Sequence, residues 1–281
     1  MVSGAIEALT RLGRSAAGAR VAILDSGCRD RFAVGRDSRG GGRHSGRALE
    51  IACQLASEGA IEGIVTGPIS KRSLQLGGYP FTGHTEFLSH HFKAPECQMV
   101  MVHRGFRVIP LTRHLPLRQV SRAVSAGRLL TALRVVTESL KRDFGISRPR
   151  IAVSALNPHA GDGGVLGREE IDLIGPALRR ARRLGVRVEG PVPADALFQN
   201  ARSGTFDAFV TMYHDQGLIP FKMISRRRGI NVTVGLPVVR TSVDHGVAYD
   251  IAGRGKADTE SLKAAYRLAE DLVRRRRERM G

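Results

Sequence analysis

Short apolar runs that stop at glycine, proline or histidine, each followed by a stretch of helical spacing, limit how this chain can fold more than any other feature. Residues 61–65 (Ile-Glu-Gly-Ile-Val) run into Thr66-Gly67-Pro68, residues 150–156 run into Asn157-Pro158-His159, and residues 206–212 run into Tyr213-His214-Asp215. Residues 98–102 form another strand pattern, 106–111 alternate as a hairpin strand does, and 186–188 add a short one. Between them lie helical patterns at 48–58, 120–144, 169–184 and 259–278, the last with Leu262, Ala265, Leu268, Ala269 and Leu272 on one face. Strands alternating with helices through Gly/Pro turns predict an α/β architecture with a largely parallel sheet. Aromatic residues make up only 5% and Trp is absent, so the core must be built from Ala, Val, Leu and Ile, as suits a sheet covered on both faces. Residues 1–12 read as a helical turn or two, 20–24 as a short strand, and the glycine-rich 35–46 as loop.

The net charge of +18 raises the possibility of a nucleic-acid partner. Only six of the 44 basic residues are Lys, however, and the Arg are spread through helical segments without stacking aromatics. The runs Arg226-Arg227-Arg228 and Arg274-Arg275-Arg276-Arg277 read as solvated surface, and nucleic-acid binding is the minor alternative. Cys28, Cys53 and Cys97 are too few and scattered for a disulfide scaffold and suit a reducing, cytoplasmic setting. There is no apolar stretch of membrane-spanning length and no secretory h-region in the sequence.

Chemistry concentrates in the loops. His114, His159 and His214 each follow an apolar strand or sit at a Pro-rich bend, and loops leaving the carboxyl ends of parallel strands share one edge. Three imidazoles gathered there would hold a divalent cation and leave positions open for substrate oxygens. Turn and packing histidines explain the same pattern. Asp215 adjoins His214 as a carboxylate that could orient it or touch a substrate hydroxyl. In Gly83-His84-Thr85-Glu86, a protonated His84 could meet a phosphate while Thr85 donates its hydroxyl. Lys222, Asn231 and Arg240 form a second anion-binding set. No GxGxxG fingerprint and no GxxxxGK[ST] loop is present, and Asp244-His245-Gly246 is a polar turn of no assigned role.

Taken in order, these segments resemble the PdxA family, the 4-hydroxythreonine-4-phosphate dehydrogenases and their relatives. The resembling stretches are Thr66-Gly67-Pro68-Ile69-Ser70-Lys71, Gly83-His84-Thr85-Glu86-Phe87, His114-Leu115-Pro116-Leu117, Leu156-Asn157-Pro158-His159-Ala160-Gly161, Met212-Tyr213-His214-Asp215-Gln216-Gly217 and Arg240-Thr241-Ser242-Val243-Asp244-His245-Gly246. They run in family order from about residue 45 to residue 275.

The resemblance implies an isocitrate/isopropylmalate dehydrogenase-like α/β/α fold, one catalytic unit over 1–281 with two lobes around a cleft. It implies a homodimer whose partner contributes to the site. It further implies NAD as cofactor and a divalent metal (Zn, Mg or Co) on His114, His159 and His214. Substrate would be held by His84, Thr85, Lys222, Asn231 and Arg240, with Lys222 and Asp215 as candidate catalytic groups.

The reaction so implied is oxidation with decarboxylation of 4-phosphooxy-L-threonine in pyridoxal phosphate biosynthesis. Relatives acting on 4-phospho-D-threonate, 4-phospho-D-erythronate or aromatic dihydrodiols are the alternatives. The family's opening Gly-Asp-Pro-Ala-Gly-Ile-Gly type segment has no counterpart here, since 20–24 leads into Asp25-Ser26-Gly27-Cys28. The chain is therefore expected to be an N-terminally shortened member whose activity is in question.

Overall fold

The computed structural model describes residues 24–280 except 200, 202, 203 and 227. The expected turns at 1–12 and all but the last residue of the expected strand at 20–24 lie outside them. The fold is built on one eight-stranded sheet: β1 (Gly63–Thr66), β2 (Gln98–His103), β3 (Phe106–Pro110), β4 (Arg150–Ser154), β5 (Arg187–Val192), β6 (Ala208–Thr211), β7 (Ile230–Val234) and β8 (Val239–Val243). Across the sheet the order is β1-β8-β7-β2-β3-β6-β4-β5. The α/β class is as expected, but the sheet is mixed. β3, β6, β4 and β5 run parallel, β1 runs parallel to β8, and the pairs β2/β3, β2/β7 and β7/β8 are antiparallel.

The helices are α1 (Arg39–Ser57), α2 (Lys71–Leu76), α3 (His84–His91), α4 (Leu117–Ala123), α5 (Ala126–Arg142), α6 (Gly175–Arg183), α7 (Ala194–Leu197), α8 (His214–Ser225) and α9 (Glu260–Met280). The first overturns the loop expected at 35–46. Ser38 caps α1, its hydroxyl accepting from the Gly41 amide at 3.1 Å, as N-cap serines do. The glycines inside it are there for contact: a Cβ at Gly42 would lie 1.7 Å from the Ser73 carbonyl oxygen, and one at Gly46 would lie 2.0 Å from the Tyr79 ring. Tertiary packing thus overrides the poor helix propensity of glycine.

The long helix expected over 120–144 is two, because Val124 turns extended and Ser125 caps α5 through the Arg128 amide. The helix expected over 169–184 opens with a wide π-type turn (Glu170–Ile174) before α6.

One sheet face packs Val100, Ile109, Val210 and Val232 against Leu129 and Leu133 of α5 and Ala265 and Leu272 of α9. The anticipated face of α9 is correct apart from Leu262, which is exposed. On the opposite face Met101, Val108 and Phe209 meet Leu218 and Phe221 of α8. Nearer β1, Ile64 meets Leu49 and Cys53 of α1 with Phe87 and Leu88 of α3. Helices over both faces supply the burial that each strand's apolar side chains require.

The arginine run near the end of α9 is not simply solvated surface. Arg276 is 12% exposed and binds Asp143, itself 3% exposed, at 2.7 Å; Arg142 reaches the same carboxylate at 2.6 Å. Arg277 pairs with Glu62, and Arg275 donates to the Phe144 carbonyl. Burial pushes the Asp143 carboxyl up, but the two guanidiniums outweigh it and hold it below the ordinary range. This cluster ties α9 to the C-terminus of α5. Replacing Arg276 with Met leaves a buried carboxylate with one partner, and the expected loss is about 3 kcal/mol of unfolding free energy. Urea denaturation should show the midpoint falling with the slope unchanged; an unchanged midpoint would refute the clasp.

Candidate active site

Residues paired in register share a sheet face, and this places the polar groups. From β6 toward β1 the register runs Phe209, Val108, Met101, Asn231, Ser242 and Thr66. The face is therefore apolar where α8 covers it and polar from β7 onward. Arg240 projects on this same face, opposite Thr233 on β7.

Arg240 is 1% exposed. Its guanidinium donates to the Thr233 hydroxyl at 3.0 Å and the Thr66 hydroxyl at 2.8 Å, while its Nε has no partner. No carboxylate lies within ion-pair distance of it among the described residues. Burial draws its pKa down to about 10, with the charge of Glu86 opposing, so it remains a cation at neutral pH. The side-chain oxygen of nearby Asn231 is also buried without a partner. A buried cation is costly unless something anionic completes it, and a buried amide oxygen is costly unless it meets a donor.

His84, the first residue of α3, lies within electrostatic reach of Arg240. Burial first, and that cation second, push its pKa down to about 3. The expectation of a protonated His84 is therefore not met: in the chain by itself the ring is neutral near pH 7. Thr85 follows it in the first turn of α3 and is half-buried. Glu86, which the sequence reading left without a role, acts electrostatically on both Arg240 and His114 and so links the buried cation to the histidines.

His114, just beyond β3, and His214, at the start of α8, have ring centroids 6.0 Å apart. That spacing lets two imidazole nitrogens turn toward one ion, each at about 2.0–2.1 Å for zinc. The His214 Nδ1 donates to the Asp215 carboxylate at 2.6 Å, which leaves its Nε2 free. Burial, with Lys71 next, lowers the pKa of His114, favouring the neutral form that a metal requires. His159 does not join them. Among the described residues no group of three His, Cys, Asp or Glu side chains is placed to hold a metal ion.

His159 sits instead in the turn Pro158–Gly164, where it, Ala160, Gly161, Asp162 and Gly163 all have positive φ. Left-handed geometry costs roughly 1–2 kcal/mol for each non-glycine residue. Strain of that size persists only where the surroundings impose it.

A cavity of about 920 Å³ opens beside this site, lined by Gly67, Pro68, Lys222, Asp244, Ile251 and Leu262 among others. Burial raises the Asp244 carboxyl pKa, with Lys222, His245 and His214 opposing. Lys222 is exposed on α8 and so belongs both to the cavity wall and to the charge field of the site. The sequence reading missed this cavity because its walls come from three separate segments.

The model of the family described as "Pyridoxal phosphate biosynthetic protein PdxA" matches residues 5–269. The chain belongs to the PdxA family. The match begins well before the motifs do, and its first residues precede those described. A 4-hydroxythreonine-4-phosphate dehydrogenase of Desulforapulum autotrophicum is 47% identical over 236 residues, covering 84% of this chain and 69% of that relative. The crystal structure of a 4-hydroxythreonine-4-phosphate dehydrogenase from Klebsiella pneumoniae aligns with a TM-score of 0.79 at 41% identity, over 85% of this chain and 72% of the other. The structure of a putative 4-hydroxythreonine-4-phosphate dehydrogenase from Salmonella typhimurium aligns with a TM-score of 0.81 at 37% identity, over 91% of this chain and 80% of the other.

In this PdxA-family chain the neutral state of His84 has a measurable consequence. An unfolded histidine titrates near 6.5, and the folded one near 3, so between those values the unfolded chain binds the extra proton. Stability should fall as pH drops from about 6.5 toward 3, and less steeply in His84→Gln. In the native protein the ring resonances of His84 should stay at neutral positions from pH 8 to pH 5 by NMR; a midpoint near 6.5 would refute the assignment.

Proposed function

We propose that this chain oxidises 4-phosphooxy-L-threonine with NAD, with loss of CO₂, as the relatives' name implies. The observation that carries the reading is Arg240: a buried cation without a carboxylate partner among the described residues, linked through the charge of Glu86 to the His114–His214 pair. That arrangement suits a substrate with an anionic phosphate at one end and an oxidisable hydroxyl at the other. Arg240 and Asn231 hold the phosphate, His84 and Thr85 add neutral hydrogen bonds, and Lys222 adds charge from α8. His114 and His214 are two ligands for a divalent cation, and Asp215 fixes the orientation of His214. When bound, that cation supplies positive charge against the negative charge that develops on the substrate hydroxyl oxygen. The 920 Å³ cavity is assigned to the dinucleotide, whose nicotinamide would enter past Lys222 and Asp244. The lobes on either side of the polar strip, α1 to α3 on one side and α8 on the other, form a single catalytic unit.

The third metal ligand comes from a second copy. Large apolar side chains stand exposed beside each histidine segment: Leu117 at 70%, Val165 at 80%, Ile219 at 59% and Met223 at 74%. Side chains of this kind mark an association surface. A homodimer closing over them brings His159 of the partner subunit to the His114–His214 pair, as a two-fold interface allows.

Two outcomes are expected. In a panel of 4-phosphooxy-L-threonine, 4-phospho-D-threonate, 4-phospho-D-erythronate and a non-phosphorylated dihydrodiol, NADH should form fastest with the first. Arg240→Met should raise KM for it roughly 10–100-fold. Faster turnover of the non-phosphorylated compound would overturn the phosphate assignment, and a faster phospho-sugar acid would reassign the substrate. Second, His159→Ala and His214→Ala chains, each inactive alone, should regain about a quarter of wild-type activity when unfolded and refolded together, since half the dimers carry one intact site. No recovery would place all three ligands in one chain.

A further inference from the structure

Glu170 is a buried carboxylate, 5% exposed, whose described bonds include no cation. Its Oε1 accepts from the backbone amides of Leu156 and Asn157, both at 2.8 Å, and its Oε2 accepts from the Asn157 side-chain amide at 2.9 Å. These donors precede the left-handed turn that carries His159, and Glu170 follows it, so one side chain joins the two ends. The backbone wraps the carboxylate closely. A Cβ at Gly161 would lie 2.8 Å from the Glu170 Oε2, and one at Gly167 would lie 2.4 Å from the Asn157 Nδ2. The neighbouring Glu169 bonds the same Asn157 amide at 2.8 Å but is half-exposed.

An ionised group removed from water without a countercharge has to be held by hydrogen bonds. Here every bond it accepts from another residue fixes the approach to one strained turn. Beyond the bonds inside the turn itself, its far end is closed by the Val165 amide to the Asp162 carbonyl and the Leu166 amide to the Gly161 carbonyl. Nothing in the proposed chemistry uses Glu170 directly. Glu170 also lies in the first turn of the π-type segment, where a carboxylate suits a helix end, but its described bonds to other residues all go to Leu156 and Asn157.

We propose that Glu170 is a positioning residue: its carboxylate holds residues 158–164 in the left-handed turn and thereby aims His159 at the metal site. The inference rests on His159 being a metal ligand, as proposed above. Glu170→Gln keeps one oxygen for the two backbone amides but turns an NH₂ toward the Asn157 amide, setting donor against donor. Glu169→Gln can rotate its oxygen to Asn157 and is the control.

The experiment uses the full-length protein and titrates Zn²⁺ by calorimetry, alongside hydrogen exchange of residues 158–167 in the metal-free protein. Glu170→Gln should exchange faster in that segment alone, bind Zn²⁺ at least tenfold more weakly, and lose kcat with little change in KM for the phosphorylated substrate. Glu169→Gln should match wild type. Wild-type exchange in Glu170→Gln, or faster exchange spread through the whole chain, would overturn the positioning role. His159→Ala is run in parallel to separate the two claims. If it binds Zn²⁺ normally, the ligand assignment fails, while local exchange still decides whether Glu170 shapes the turn.

Discussion

The site depends on an unbalanced charge. Arg240 is drawn fully into the sheet face and held by two threonine hydroxyls in place of a carboxylate. Burying a cation in this way forfeits hydration that two neutral hydroxyls only partly replace. On the proposed reading, the anion of a bound substrate offsets that cost. Thr66 and Thr233 lie on strands to either side of β8, so the guanidinium also stitches β1, β8 and β7 together at the depth where a ligand would rest. Around it lie a histidine kept neutral by burial first and by this charge second, a glutamate acting from a distance, and an amide oxygen without a donor.

The reversal of strand direction between β7 and β8 explains why such a site can exist on a sheet face. In a wholly parallel sheet, functional loops gather at one edge. Here β3 and β6 send His114 and His214 from one edge, while β1 and β8 end at the other with Gly67 and Asp244. α8 runs between the two, carrying His214 at its start and Lys222 two turns later. The groups therefore meet over the face, between the helices that cover its apolar portions.

Much of this was legible in the sequence. The strands at 98–102 and 150–156, the hairpin at 106–111 and the terminal helix stood out because each carries its own periodicity. The histidines were noticeable because they sit where those patterns break. What escaped depended on contacts distant in sequence. The glycines of α1 look like a loop until Ser73 and Tyr79 are seen filling the space that side chains would need. β7 and β8 were passed over as flanks of Asn231 and Arg240, and α8 was hidden by Pro220 within it. Nothing local links Thr66 to Arg240, and the neutrality of His84 arises from burial against that same cation. The left-handed run around His159 is equally silent, since Ala160 and Asp162 do not announce positive φ.

The register of β1 also bears on how the polypeptide reaches this state. Its sheet partner among the described residues is β8, with Gly63 facing Val239, so nearly the whole chain must leave the ribosome before that pairing can form. Until then Leu49, Ile64, Phe87 and Leu88 have no Leu236 or Val238 to pack against. Contacts this far apart close slowly, and apolar surface left waiting is prone to aggregate. Synthesis thus passes through a stage in which the amino-terminal lobe is assembled but unroofed, and chaperone demand should concentrate there.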